Sequence, residues 1–316
     1  MGIGTTHTIA LIGSGTIGLS LAALHLTKDP HSKVIIYDTR PDLEAYINST
    51  LPGYLVNADV QQCMARLHLA PTLKDAVERA DVVQEQGPEN LPFKQSLWPQ
   101  IETHAPSHTL FLSSTSGIPA SQQCTSMRDP SRLLVVHPYN PPHILPLLEL
   151  VPSPQTSPET TTRTQSFFAR LGRVPIPLTR ECPGFVSNRL AFALLREACS
   201  LVSQGIVSVQ DLDSIVTSSM GPRWSVAGPF KSYHAGGGTE GLRGFMEKIG
   251  GTVGMCWEES EKGYRENNIV VGGEWQEEVC RQAEEAYGKS GVGDTAERDR
   301  KTRRVLEAVG ERERGR

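Results

Sequence analysis

Apolar residues along this chain keep two rhythms. Runs of strand length occur at Thr8-Ile-Ala-Leu-Ile12, Lys33-Val-Ile-Ile-Tyr37, Asp81-Val-Val-Gln84, Thr109-Leu-Phe-Leu-Ser113 and Leu133-Leu-Val-Val-His137. Short apolar runs bounded by turn signals predict buried strands, and the amphipathic stretches between them predict helices. One helix is expected after Thr72 through Ala80, one from about Asn90, and a short one after Pro119. Such alternation predicts an α/β fold with a mostly parallel, doubly wound sheet. From Pro183-Gly184 onward only the helical rhythm remains. A long apolar helix is expected over Phe185–Ser203, closed by Gly205, and Ser208 with Asp211 forms a capping box for a helix to about Ser218. The expected division is therefore a sheet domain over residues 1–181 and an all-helical domain over 182–316. Gly236-Gly-Gly-Thr-Glu-Gly241 reads as a flexible loop, and the charged tail from about Asp294 as a frayed helix or a disordered segment.

A chain of 316 residues suits this two-part division. The formal charge of −4 offers no basic field for nucleic acid or an anionic membrane. Six cysteines without paired spacing read as reduced thiols rather than a disulfide frame or a metal site. No apolar segment approaches the roughly 20 residues that span a bilayer. The start of the chain enters a strand almost at once instead of a basic-then-apolar leader, so a soluble, cytoplasmic protein is expected.

The first strand leads into Gly13-Ser-Gly15-Thr16-Ile17-Gly18, and an acid, Asp38, ends the next strand twenty residues after Gly18. Gly13 permits the tight turn, Gly15 admits a pyrophosphate to the backbone, and Gly18 lets helix and strand pack closely. The helix start at Thr16 and Ile17 offers free N–H groups and a positive dipole end to the phosphates. In this strand–turn–helix setting the motif predicts a Rossmann-like dinucleotide site. Asp38 would take both adenosine ribose hydroxyls and repel a 2′-phosphate, favouring NAD over NADP. Arg40 keeps NADP open, because a guanidinium there can accommodate that phosphate.

His137 ends a strand, prolines are expected to keep the following backbone extended, and Glu149 sits in a second apolar run. A histidine beside a buried carboxylate can act as a general base. Glu149 would be costly to bury without a partner, which makes pairing with His137 the simplest account.

Together these segments resemble the 3-hydroxyacyl-CoA dehydrogenase superfamily, more closely its short-acid branch, the lambda-crystallins or L-gulonate 3-dehydrogenases. The likeness rests on Val83-Gln-Glu-Gln-Gly-Pro-Glu89-Asn-Leu-Pro-Phe-Lys94, Ser113-Ser-Thr-Ser116-Gly, and His137-Pro-Tyr-Asn140-Pro-Pro through Glu149. It continues through Gly184-Phe-Val-Ser-Asn188-Arg-Leu and Met220-Gly-Pro-Arg223-Trp, covering roughly residues 7–245. The resemblance implies a His137–Glu149 dyad, with Ser116 and Asn188 holding the reacting oxygen. It also implies an NAD site lined by Glu89, Lys94, Ser116 and Asn140 beside Asp38, and a homodimer built on the helical domain. Each residue has a plainer alternative: a turn for Ser116, a cap for Asn188, a solvated helix face for Lys94.

Two features bear on the substrate. Glu89 follows Asp38 by only 51 positions, too few for the long helical hairpin that holds coenzyme A in the acyl-CoA branch. Arg223 could pair with a free carboxylate, which a thioester lacks, or serve as a structural loop residue. The expected activity is NAD-dependent oxidation of a small 3-hydroxy acid resembling L-gulonate. An L-3-hydroxyacyl-CoA or carnitine-like dehydrogenase and a non-catalytic NAD-binding protein are the alternatives.

Overall fold

The computed structural model describes residues 7–289 and 291–314. The chain divides into two compact units, Met1–Asn188 and Arg189–Arg316. Among its described residues the first holds eight strands: β1 (Thr8–Ile12), β2 (Lys33–Tyr37), β3 (Leu67–Leu69), β4 (Val82–Glu85), β5 (Leu110–Ser113), β6 (Leu133–Pro138), β7 (Leu147–Val151) and β8 (Val174–Pro177). They form one sheet in the order β3-β2-β1-β4-β5-β6-β7-β8. The first six strands are parallel, β7 is antiparallel to β6, and β8 is parallel to β7. This is the expected doubly wound architecture, with the strand order reversing direction beside β1.

Around the sheet run α1 (Thr16–Lys28), α2 (Leu43–Thr50), α3 (Val60–Met64), α4 (Leu73–Val77), α5 (Leu91–His104), α6 (Ala120–Gln123) and α7 (Pro158–Arg170). Strand alternation divides the core into two layers. Ile9, Leu11, Val34, Ile36, Leu112, Leu134 and Leu150 share one cluster with α1 and with Phe167 and Phe168 of α7. Ala10, Ile12, Val83, Phe111, Val135 and Val151 share the other with Trp98 and Ile101 of α5.

Several local expectations need correction. Pattern reading omits β3, which has three residues with exposed His68 at its centre, and β8, whose two prolines suit only an edge. Helix α4 is capped by Thr72 as expected but stops at Val77. The proline segment after β6 does not stay extended. The amides of Ile144 and Leu145 both bond to the Pro141 carbonyl, and this turn sends β7 back antiparallel to β6.

Helix α8 (Phe185–Ser203) begins in the first unit and continues into the second. The second unit adds α9 (Val209–Ser218), α10 (Met220–Trp224), α11 (Pro229–Gly236), α12 (Gly241–Glu266), α13 (Trp275–Tyr287) and α14 (Val292–Arg314). The Ser208 hydroxyl caps α9 by accepting the Asp211 amide. The glycine-rich stretch before α12 is a tight corner rather than a flexible loop. A Cβ on Gly237 would stand 1.6 Å from the Gly241 carbonyl oxygen, and one on Gly241 would stand 2.3 Å from the His234 ring.

One buried histidine predicts a pH dependence of stability. His25 on α1 is fully buried, its Nε2 lies 2.5 Å from Gln84 Oε1, and its Nδ1 has no partner. Burial, only partly offset by the Gln84 bond, pushes its pKa from 6.5 down to about 4. The unfolded chain therefore takes up a proton first as pH falls. Stability contributed by neutral His25 is present above pH 6.5 and declines toward pH 4, by about 3 kcal/mol in all. Urea unfolding followed across that window should show the decline, and His25→Phe should flatten it. An equally steep decline in His25→Phe would place its origin elsewhere.

Candidate active site

The nucleotide end is built by the turn between β1 and α1. Gly13 takes a φ of +107°, and a Cβ on Gly18 would stand 2.2 Å from the Gly13 carbonyl oxygen. A Cβ on Gly15 would meet nothing within 4 Å, and Gly15 caps α1 without any side-chain bond. The first-turn amides beginning with Thr16 and Ile17 thus lack a side-chain acceptor, with open space beside them. That arrangement fits a pyrophosphate. Gln86, just beyond β4, steadies the turn by donating from Nε2 to the Gly13 carbonyl at 2.8 Å.

Asp38 follows β2 as expected. Its Oδ2 accepts both the backbone amide and the hydroxyl of Ser14, each at 2.7 Å, and its Oδ1 accepts the Arg40 amide at 3.0 Å. Partial burial pushes the carboxyl up, but these bonds outweigh it and hold Asp38 below its ordinary pKa. The part played by Ser14 has no signal in the motif beyond its neighbouring position. The Arg40 side chain turns to Asp42 at 2.8 Å and lies over the Tyr46 ring at 3.5 Å.

Past the carboxyl ends of β4 and β5, Glu89 organises the loop 115–117. Glu89 accepts the Thr115 hydroxyl, the Ser116 amide at 3.1 Å and the Gly117 amide at 3.0 Å. Lys94 is buried on α5 and bonds both oxygens of Glu85 at 2.7 and 2.8 Å, with Glu89 Oε2 4.0 Å away. The solvated-face reading of Lys94 is therefore excluded. Glu85 also accepts the Ser113 hydroxyl and the Gly87 amide, at 2.9 and 2.8 Å. Reading the chain alone misses Glu85, although an acid closing an apolar strand nine residues before a lysine is the usable signal.

His137 and Glu149 face each other across the β6–β7 pair. Nδ1 of His137 lies 2.8 Å from Glu149 Oε2, with both side chains buried. Since the carboxylate accepts, Nδ1 carries a proton, and in the neutral ring Nε2 keeps the lone pair. The Phe185 ring lies against the imidazole, 5.2 Å between centroids. Glu149 Oε1 accepts the amides of Val186 and Ser187 at 2.8 and 3.0 Å, and Oε2 accepts the Ser187 hydroxyl at 2.5 Å. Burial raises the pKa of the Glu149 carboxyl, but bonds from His137, Ser187 and the first turn of α8 lower it to about 2. Sequence reading identifies neither Ser187 nor these amides.

Asn188, one turn into α8, donates from Nδ2 to the Ser116 carbonyl at 3.3 Å, so Glu89, Ser116 and Asn188 form one hydrogen-bonded chain. Asn140 is exposed in the turn after β6. Arg223 belongs to the second unit, on α10, where it is exposed. Among the described residues, no group of three or more His, Cys, Asp or Glu could hold a metal ion, and no helix is long and apolar enough to cross a membrane.

Comparison with known proteins gives the family of this fold. The NAD-binding domain of 3-hydroxyacyl-CoA dehydrogenase matches residues 8–182, and the C-terminal domain of the same family matches residues 184–262. A 3-hydroxyacyl-CoA dehydrogenase of Gibberella moniliformis is 36% identical over 297 residues, covering 90% of this chain and 87% of the relative. An L-carnitine dehydrogenase of Streptomyces griseus is 34% identical over 313 residues, covering 96% and 90%. A lambda-crystallin homolog of Bos taurus is 34% identical over 250 residues, covering 77% of each chain. This chain belongs to the 3-hydroxyacyl-CoA dehydrogenase family, and it is an oxidoreductase whose cofactor is NAD.

Proposed function

We propose that this protein oxidises the 3-hydroxyl of a small free hydroxy acid of the L-gulonate or carnitine type, with His137 as general base. The observation that carries the proposal is the buried His137–Glu149 pair, which leaves Nε2 with its lone pair while Nδ1 is held. Oxidising a secondary alcohol requires a base for the hydroxyl proton, and neutral His137 takes it at Nε2. Glu149, its pKa held down to about 2, is ionised and stabilises the imidazolium that results. NAD, when bound, accepts the hydride. Ser116 and Asn188 hold the reacting oxygen, and the Glu89 carboxylate keeps the Ser116 loop in place. Gly13, Gly15, Thr16, Ile17 and Gly18 cradle the pyrophosphate, and Asp38 takes the adenosine ribose. Arg40, engaged with Asp42 and Tyr46, leaves NAD preferred over NADP.

A free acid is favoured because the stretch after β2 contains only short helices, α2 of 8 and α3 of 5 residues, and no long hairpin for coenzyme A. The S. griseus relative, named for carnitine, points the same way. The G. moniliformis relative, named for acyl-CoA, keeps a thioester substrate as the second reading. NADH formation with L-gulonate, L-carnitine, 3-hydroxybutyrate and 3-hydroxybutyryl-CoA separates the two. We expect one of the free acids to exceed the thioester in kcat/KM by tenfold or more, which is about 1.4 kcal/mol. The reverse order would establish the acyl-CoA reading.

A homodimer is part of the same proposal. In the second unit the buried apolar side chains among the described residues are Cys199, Val202 and Ile269. Leu190, Phe192 and Leu195 of α8 and Trp257 of α12 are 56–66% exposed. Helices with so small a core of their own need a partner for their apolar faces, and a second copy supplies one. Light scattering after size exclusion should give twice the chain mass; a single-chain mass would refute the dimer.

A further inference from the structure

The dyad carboxylate accepts four hydrogen bonds, three of which neither strand supplies. Ser187 reaches Glu149 twice, through its amide to Oε1 at 3.0 Å and its hydroxyl to Oε2 at 2.5 Å. With the Val186 amide at 2.8 Å, the first turn of α8 grips both carboxylate oxygens. Oε2 is therefore shared between Ser187 and His137 Nδ1. Building on the base assignment above, we propose that Ser187 is a positioning residue of this site. Its hydroxyl fixes the plane of the Glu149 carboxylate and, through it, the direction in which His137 presents Nε2.

The chemistry gives the hydroxyl a second effect. A carboxylate oxygen that already accepts an O–H shares less of its charge with the imidazole. Ser187 thus holds back the stabilisation of the imidazolium and keeps more of His137 neutral and able to accept a proton. Few other groups contribute. β7 supplies Glu149, α8 supplies Ser187 and its amides, and Phe185 covers the ring without charge. Among the described residues no further charged side chain bonds to the pair. A serine needed only to cap α8 would not act this way, because Glu149 already satisfies the first amides.

The test follows the His137 ring by NMR titration in the cofactor-free protein, with His137→Gln identifying its signal, beside the pH profile of kcat/KM. In Ser187→Ala the ring midpoint and the acid limb of oxidation should both move up, by about half a unit to one unit. Ser187→Thr should restore them, and Ser187→Cys, a weaker donor, should fall between. NAD affinity should stay within twofold of the parent. An unmoved ring midpoint in a folded Ser187→Ala protein, or a Thr variant that stays shifted, would overturn the inference. A moved midpoint combined with an active His137→Gln protein would instead overturn the base assignment and leave the positioning geometry standing.

Discussion

His137→Ala should lower kcat/KM for oxidation by about three orders of magnitude, the scale of a lost general base, while NADH binds within twofold of the parent. The affinity should persist because the cofactor cradle stands on the β1–α1 turn and Asp38. Glu149 should also stay in place after the substitution, since it keeps the Val186 and Ser187 amides and the Ser187 hydroxyl. Steady-state kinetics together with NADH fluorescence titration gives both numbers. A variant that keeps its activity would remove His137 from the chemistry. One that loses binding and activity together would show a structural role instead.

Lys94→Met should produce the largest loss of stability. The substitution leaves the Glu85 carboxylate fully buried beside the Ser113 hydroxyl and the Gly87 amide, without its counter-charge. Breaking a buried pair from one side costs about 3–5 kcal/mol, far more than the pair adds relative to an apolar replacement. The thermal melt should therefore drop by about 10 °C. The double variant Glu85→Gln with Lys94→Met should recover much of that loss, because the uncompensated charge is gone. A single variant that melts like the parent would show that the pair does not carry the stability of this region.

Both predictions rest on contacts that differ in how far apart their partners lie along the chain. The glycine turn, the start of α1 and Asp38 belong to one short β–α–β stretch, where backbone geometry follows from local residue type. There the motif and the structure coincide. The alternation of apolar runs likewise specifies the parallel strands, because a strand buried on both faces reads as a nearly continuous apolar run. Where the pattern is thin, as in β3, or broken by proline, as in β8, it carries no strand signal. Both take their place from neighbours already in the sheet.

Partnerships across the fold were legible only in part. Residue chemistry identified His137 and Glu149 as a pair, but their opposition comes from the turn at Pro141 and the antiparallel register of β6 and β7. Nothing in the order of residues says that Glu149 also meets the first turn of α8, 37 positions on. A lysine on an amphipathic helix reads as solvated, and only the packing of α5 on the sheet carries Lys94 to Glu85. A charged side chain changes meaning once water is removed from around it. Water is removed by the assembled fold, so the identity of each charge is written in the chain while its partner and its role emerge from burial.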